Sequence, residues 1–194
     1  MKLISRVAFR RRAASAEART RARGVELILM DVDGTLTDGT LAVFPDGEEV
    51  KSYYVRDGLG ILLAQMAGLR LGIITGKTSK ALDKRAERLR IFEVHQGVLD
   101  KKKVLCDILE KLALPPEKTA YIGDDIGDIE IMRSVGLAAA VADAHPDVQR
   151  IAHYVCRASG GRGAVREFIE FILEAQGKWD DVKRRTHEVR NFNI

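Results

Sequence analysis

Leu27-Ile-Leu-Met-Asp-Val-Asp-Gly-Thr-Leu-Thr-Asp-Gly39 opens with four apolar residues and then turns abruptly acidic. Leu27 to Met30 is short enough for a buried strand. Asp31 and Asp33, two positions apart on an extended chain, project from one face. At the carboxyl end of a buried strand they fall in the crevice where open α/β sheets bind ligands. Gly34 allows a sharp turn that brings backbone N–H groups close to an anion. Neighbouring carboxylates repel unless a cation neutralises them or one keeps a proton, so the stretch asks for a metal or an acid/base pair. A solvated Asp/Gly turn closing a strand is the simpler alternative, and the rest of the chain decides between the two.

Three more strand ends follow. Arg70 to Ile74 is an apolar run broken by Thr75-Gly76, and Thr119 to Ile122 runs into Gly123-Asp-Asp-Ile-Gly-Asp128. Between them Glu93 to Gln96 reads as a short strand, and Asp100 opens a helix to about Leu112 with Lys101, Lys102 and Lys103 in its first turn. Cations there oppose the helix dipole, so one of these lysines has an anion to meet. Leu137 to Ala142 and His153 to Cys156 add strands, and Ala164 to Ala175 carries a helical stripe of Val165, Phe168, Ile169, Ile172 and Leu173. Strands alternating with helices specify an α/β fold, a doubly wound parallel sheet. Leu41 to Phe44 and Glu48 to Val55, joined by Pro45-Asp46-Gly47, read as a small β-hairpin insertion that overhangs the acidic loop. It is too small to be a separate cap domain. Its Phe44, Tyr53 and Tyr54 need a cover, and a second subunit is the natural one.

The 194 residues fit one domain. The net charge of +4 is uneven: residues 1–23 hold eight basic side chains against Glu17 alone, leaving 24 basic and 27 acidic residues beyond them. The chain divides into a basic amino-terminal arm (1–24), a body (25–178) and a charged tail (179–194). An Arg-rich, acid-poor start also reads as a transit peptide, but an arm ahead of the first strand suffices. A nucleic-acid reading would rest on that arm alone and is set aside. No apolar run approaches the roughly 20 residues that span a bilayer. Cys106 and Cys156 have no metal-ligand spacing and read as reduced thiols of a cytoplasmic protein.

Converging at one crevice are Asp31, Asp33, Thr75, Lys101, Asp124, Asp125 and Asp128. Carboxylates from two strands make a hard, oxygen-rich site suited to Mg²⁺. A hydroxyl and an ammonium beside it are what phosphoryl oxygens require, with a carboxylate to attack in line. This order, Asp31-Val-Asp33-Gly-Thr, Ile74-Thr75-Gly76, Lys101 and Gly123-Asp124-Asp125-x-x-Asp128, resembles the haloacid dehalogenase superfamily of aspartyl-phosphate phosphatases. The resemblance implies Asp31 as nucleophile and Asp33 as acid/base. It places Mg²⁺ on Asp31, the Asp33 carbonyl and Asp124, with Asp125 and Asp128 supporting.

Tyr54-Val-Arg56-Asp-Gly58, Val141-Ala-Asp-Ala-His-Pro146, Gly160-Gly-Arg-Gly-Ala-Val-Arg-Glu167 and Ala175-Gln-Gly-Lys178 narrow this. Over residues 25–178 the chain looks like the cap-less 3-deoxy-D-manno-octulosonate (KDO) 8-phosphate phosphatases of lipopolysaccharide precursor synthesis. The family resemblance implies a homotetramer and puts Arg56, Lys77, Arg85 and Arg162 toward the substrate carboxylate, Arg162 supplied from a neighbour. Lys77 stands where that family commonly has Arg, and Thr35 where it more usually has Val. Gln96-Gly-Val-Leu-Asp-Lys101 also resembles phosphatases of nine-carbon ulosonate (acylneuraminate) 9-phosphates, the alternative substrate class. A non-catalytic oligomerisation module and a receiver-type phosphoacceptor are the non-enzyme alternatives. Retention of all the acids with Thr75 and Lys101 opposes the first, and the hairpin with Asp33 opposes the second.

Overall fold

Three buried runs make the centre of the molecule, whose computed structural model describes residues 15–187. β1 (Leu27–Met30) is buried at all four positions and lies between β4 (Arg70–Ile74) and β6 (Thr119–Gly123). Outside these come β5 (Glu93–His95), β7 (Leu137–Ala140) and β8 (Tyr154–Val155), in the order β5-β4-β1-β6-β7-β8, every pairing parallel. A parallel sheet must be covered on both faces, which is why its strands read as continuous apolar runs rather than alternating ones. Two packed groups of helices do this. One contains α1 (Ala16–Arg23), α2 (Val55–Met66), α7 (Ala164–Ala175) and α8 (Trp179–Arg184); the other contains α4 (Lys101–Leu112), α5 (Ile129–Met132) and α6 (Pro146–Ile151). α3 (Lys80–Arg88) is capped by the Ser79 hydroxyl, which accepts from the Leu82 N–H.

The expected hairpin is present but shorter. β2 (Ala42–Val43) pairs antiparallel with β3 (Glu49–Val50) across a turn in which Gly47 has φ +84°. The return strand stops at Val50 rather than running to Val55, where α2 takes over. A tertiary contact moves that boundary. The Asp57 carboxylate, in the first turn of α2, accepts from the Gly163 and Arg166 N–H groups (3.2 and 2.7 Å). Gly163 itself offers α7 no side-chain cap, so Asp57 caps that helix from another element.

The described parts of both flanks pack on the body. α1 buries Ala18 and Ala22 against α7, and Gln176 donates to the Ala22 and Val25 carbonyls (3.2 and 2.8 Å). α8 buries Val182, and Arg166 stacks on Trp179 at 5.4 Å. Small or apolar residues at helical spacing let these charged segments dock. The rest of the arm (1–14) and of the tail (188–194) lies outside the described residues. Cys156 is buried, and Cys106 is exposed because it falls on the outer face of α4. Among the described residues no helix is long and apolar enough to cross a membrane, and no second domain caps the sheet.

Candidate active site

Hydrogen bonding that overruns the strands fixes the site. The Asp31 N–H donates to the Ile122 carbonyl (3.1 Å) and the Thr75 N–H to the His95 carbonyl (2.9 Å), each one residue past its strand. Asp31 and Thr75 are therefore held by the sheet itself although they belong to the crevice. From β6 the chain passes through Asp124 and a 3₁₀ turn at Ile126–Asp128. The Asp128 carboxylate folds back to accept from the Asp124 and Asp125 N–H groups (2.9 and 3.3 Å).

Lys101, the first residue of α4, points its ammonium into this cluster. It donates to Asp31 Oδ1 at 2.5 Å, to Asp128 Oδ1 at 2.6 Å, and lies 3.2 Å from the Tyr121 hydroxyl. Tyr121, fully buried in β6, donates its own proton to Asp128 Oδ1 at 2.7 Å. Burial opposes the Lys101 charge, and the two carboxylates more than offset it, so its pKa lies above the usual lysine value. Oxygens of Asp31, Asp124 and Asp128 can all lie within 4.8 Å of one another. Burial, then the Asp128 charge, pushes Asp31 up to about 7 despite Lys101; burial, then Asp31, does the same to Asp124, also to about 7. Three acids with one lysine hold too much negative charge, which a divalent cation would relieve. The four acceptor directions of Asp128 are taken by Lys101, Tyr121 and two N–H groups. Asp124 spends one oxygen on the Thr35 hydroxyl (3.0 Å). Asp31 and Asp124 are thus the freer donors, and their hard oxygens fit Mg²⁺.

Asp33 stands outside the hydrogen bonds of that cluster. Its carboxylate is paired with the ammonium of Lys51, whose side chain is 1% exposed. Gly34, at φ +92°, passes so close to Asp124 that an added Cβ would meet Oδ2 at 2.1 Å. A second loop seals the turn: a Cβ on Gly160 would lie 1.7 Å from the Gly34 carbonyl oxygen, and the Gly161 N–H donates to the Thr35 carbonyl (2.9 Å).

The structure brings Asp31, Asp124, Asp128 and Lys101 together, with Asp33 and buried Thr75 on the neighbouring turns. Asp125 is exposed, and its carboxylate accepts from the Ile126 N–H (2.8 Å), capping the 3₁₀ turn. Arg162 reaches Asp38 of its own chain (3.0 Å), beside the Gly160-Gly161 contact with the turn. Arg56 shares with Arg162 a cleft of about 530 Å³ that Arg157 and Arg166 also line. Lys77 lies apart, in a cleft of about 960 Å³ between α3 and the hairpin acids Asp46, Glu48 and Glu49. Arg85 packs over the Tyr53 ring (5.8 Å) beside Gly58. Lys51 and Tyr121 escaped the sequence reading. The one available signal was a phenol in an otherwise apolar strand, which needs a partner when buried.

Strand order, acids at the carboxyl edge and the lysine that joins them define a haloacid dehalogenase-like hydrolase, and the model of that family matches residues 73–169. The 3-deoxy-D-manno-octulosonate 8-phosphate phosphatase KdsC of Escherichia coli is 46% identical over 169 residues, 87% of this chain and 90% of the relative. The crystal structure of the Yersinia pestis phosphatase of that name is 44% identical and superposes with a TM-score of 0.84, covering 85% of this chain and 89% of the other. The Moraxella catarrhalis phosphatase, solved in complex with magnesium, phosphate and KDO, is 38% identical with a TM-score of 0.85, covering 87% and 97%. The chain belongs to this phosphatase family of the haloacid dehalogenase-like hydrolases.

Proposed function

We propose that the chain is a Mg²⁺-dependent phosphomonoesterase that converts 3-deoxy-D-manno-octulosonate 8-phosphate to the free sugar acid and inorganic phosphate. The observation that carries the reading is Lys101 bridging Asp31 and Asp128 at 2.5 and 2.6 Å beside Asp124. A lysine so placed fixes the rotation of one carboxylate and brings positive charge to where phosphoryl oxygens would lie. Asp31 attacks phosphorus as the ester P–O bond breaks, and Asp33 gives its proton to the departing sugar oxygen. Asp33, now ionised, takes a proton from water as that water attacks the phosphorus of aspartyl-phosphate, which releases phosphate and restores Asp31. Thr75 donates its hydroxyl to a phosphoryl oxygen, and Asp128 holds Lys101. Held by Asp31, the Asp33 carbonyl and Asp124, with Asp125 at the edge of the shell, Mg²⁺ would supply charge against the phosphoryl oxygens.

Arg56 and Arg162, which line one cleft, are assigned to the sugar carboxylate, a task suited to planar guanidinium groups. Lys77, in the cleft beside the hairpin, and Arg85, over the Tyr53 ring, are the further cations assigned to the substrate. The reading includes a cytoplasmic homotetramer whose neighbours cover the hairpin, supported by exposed Val43 and Phe44.

Phosphate release with Mg²⁺, comparing the eight-carbon 8-phosphate with a nine-carbon ulosonate 9-phosphate, tests this. Strong preference for the first is the expected result. Preference for the second would keep the mechanism and change the substrate, and release from neither would overturn the reading.

A further inference from the structure

The hairpin returns to the body through residues 51–54, and the first side chain of that return is spent on the active site. Lys51 follows β3 directly, and nothing in its own element needs a buried cation there. Burying an ammonium is costly unless a partner compensates, yet the Lys51 side chain is 1% exposed, with Asp33 as its ionic partner. Asp33 keeps 24% of its side chain exposed. The asymmetry is informative: the lysine is committed to the pair, whereas the carboxylate remains partly accessible. Two positions on, the Tyr53 hydroxyl is buried without a hydrogen-bond partner, close enough for the Asp33 charge to bear on it. The return segment is thus built toward Asp33.

We propose that Lys51 is a positioning residue for Asp33, holding its carboxylate in the orientation from which it exchanges a proton with the leaving oxygen. This rests on the role given to Asp33 above. It also ties the hairpin to the chemistry, because Lys51 cannot hold Asp33 unless β2 and β3 are seated. Removing Lys51 leaves a partly exposed carboxylate that water can solvate, so the fold should survive. The site should not: Asp33 would lose its fixed orientation and much of the advantage that alignment confers.

A double-mutant cycle tests the assignment in the full-length chain with Mg²⁺. Lys51→Met is expected to lower kcat for the octulosonate 8-phosphate about 30-fold or more, leave KM within about threefold, and leave thermal unfolding cooperative. Lys51→Arg, which retains charge and donors, is expected to recover at least a third of the parent kcat. Asp33→Asn alone should lower kcat further, and Lys51→Met in the Asp33→Asn background should cost less than about threefold more, because a residue acting through Asp33 has nothing left to hold. Full multiplication of the two effects, a kcat for Lys51→Met within threefold of the parent, or a change confined to KM would overturn the proposal while leaving the phosphatase reading in place. An Asp33→Asn chain as active as its parent would overturn both.

Discussion

Each carboxylate at the crevice has a different task because each has different neighbours. Asp128 is saturated by Tyr121, Lys101 and two backbone N–H groups, so it orients others. Asp31 and Asp124 carry the unrelieved charge, and their raised pKa values make a prediction with a definite sign. Both rise from the ordinary carboxyl range of about 4 to about 7 on folding. Between those values the folded chain binds more protons than the unfolded one, so the cation-free protein loses stability as pH rises, and the loss is complete above about 7. Mg²⁺ binds the ionised form and reverses it. Thermal melts with millimolar Mg²⁺ against EDTA are expected to show a larger rise in Tm at pH 8 than at pH 5. Equal rises would mean that the acids do not share a cation. Tyr121→Phe removes one donor but leaves Lys101 on Asp128, and a buried hydrogen bond to a charged group is worth about 1.5–3 kcal/mol. The expected outcome is a destabilisation of that order in denaturant melts, with a kcat reduced several-fold.

At the scale of elements, the junction of α2 and α7 shows what the sequence discloses and what it does not. β1, β4 and β6 are legible because a strand covered on both faces is an unbroken apolar run, and α7 because its stripe keeps helical spacing between Ala164 and Ala175. The start of α2 is not legible. Val55 looks like the end of a strand, whereas the Asp57 carboxylate, bonded to α7 N–H groups 106 and 109 positions along the chain, ties down the first turn of a helix there. Lys51 was missed because its partner lies 18 positions back in another loop, whereas Asp31 and Asp124 announce themselves beside their own strands. Burial pushes Asp57 up to about 6, its hydrogen bonds notwithstanding. The sign again is loss of stability as pH rises from about 4 to about 6. Asp57→Asn keeps an acceptor and removes the ionisation. Measured by Tm, the variant should therefore gain on the parent across that window, by on the order of 1–3 kcal/mol. A difference that stays flat with pH would mean that the carboxyl is not strained by its burial.

For the whole molecule, the question is what seats the hairpin. Its two short strands pair with each other and with no other strand, and Val43, Phe44 and Val50 are 62, 52 and 45% exposed. An isolated two-stranded hairpin is marginal in water, yet this one ends on the lysine that holds Asp33. A neighbouring copy that buries the exposed face would stabilise the hairpin and, through Lys51, align the acid, so assembly and turnover would rise together. Phe44→Asp puts a charge in the middle of that face and leaves every side chain of the crevice unchanged. In sizing with light scattering the parent is expected to run as a tetramer and the variant as a smaller species. The variant's kcat on the octulosonate 8-phosphate should fall about tenfold or more, and should recover as rising protein concentration drives reassembly by mass action. A parent that runs as a monomer would remove the premise. A dissociated variant with full kcat would show that the hairpin holds its place over Asp33 unaided.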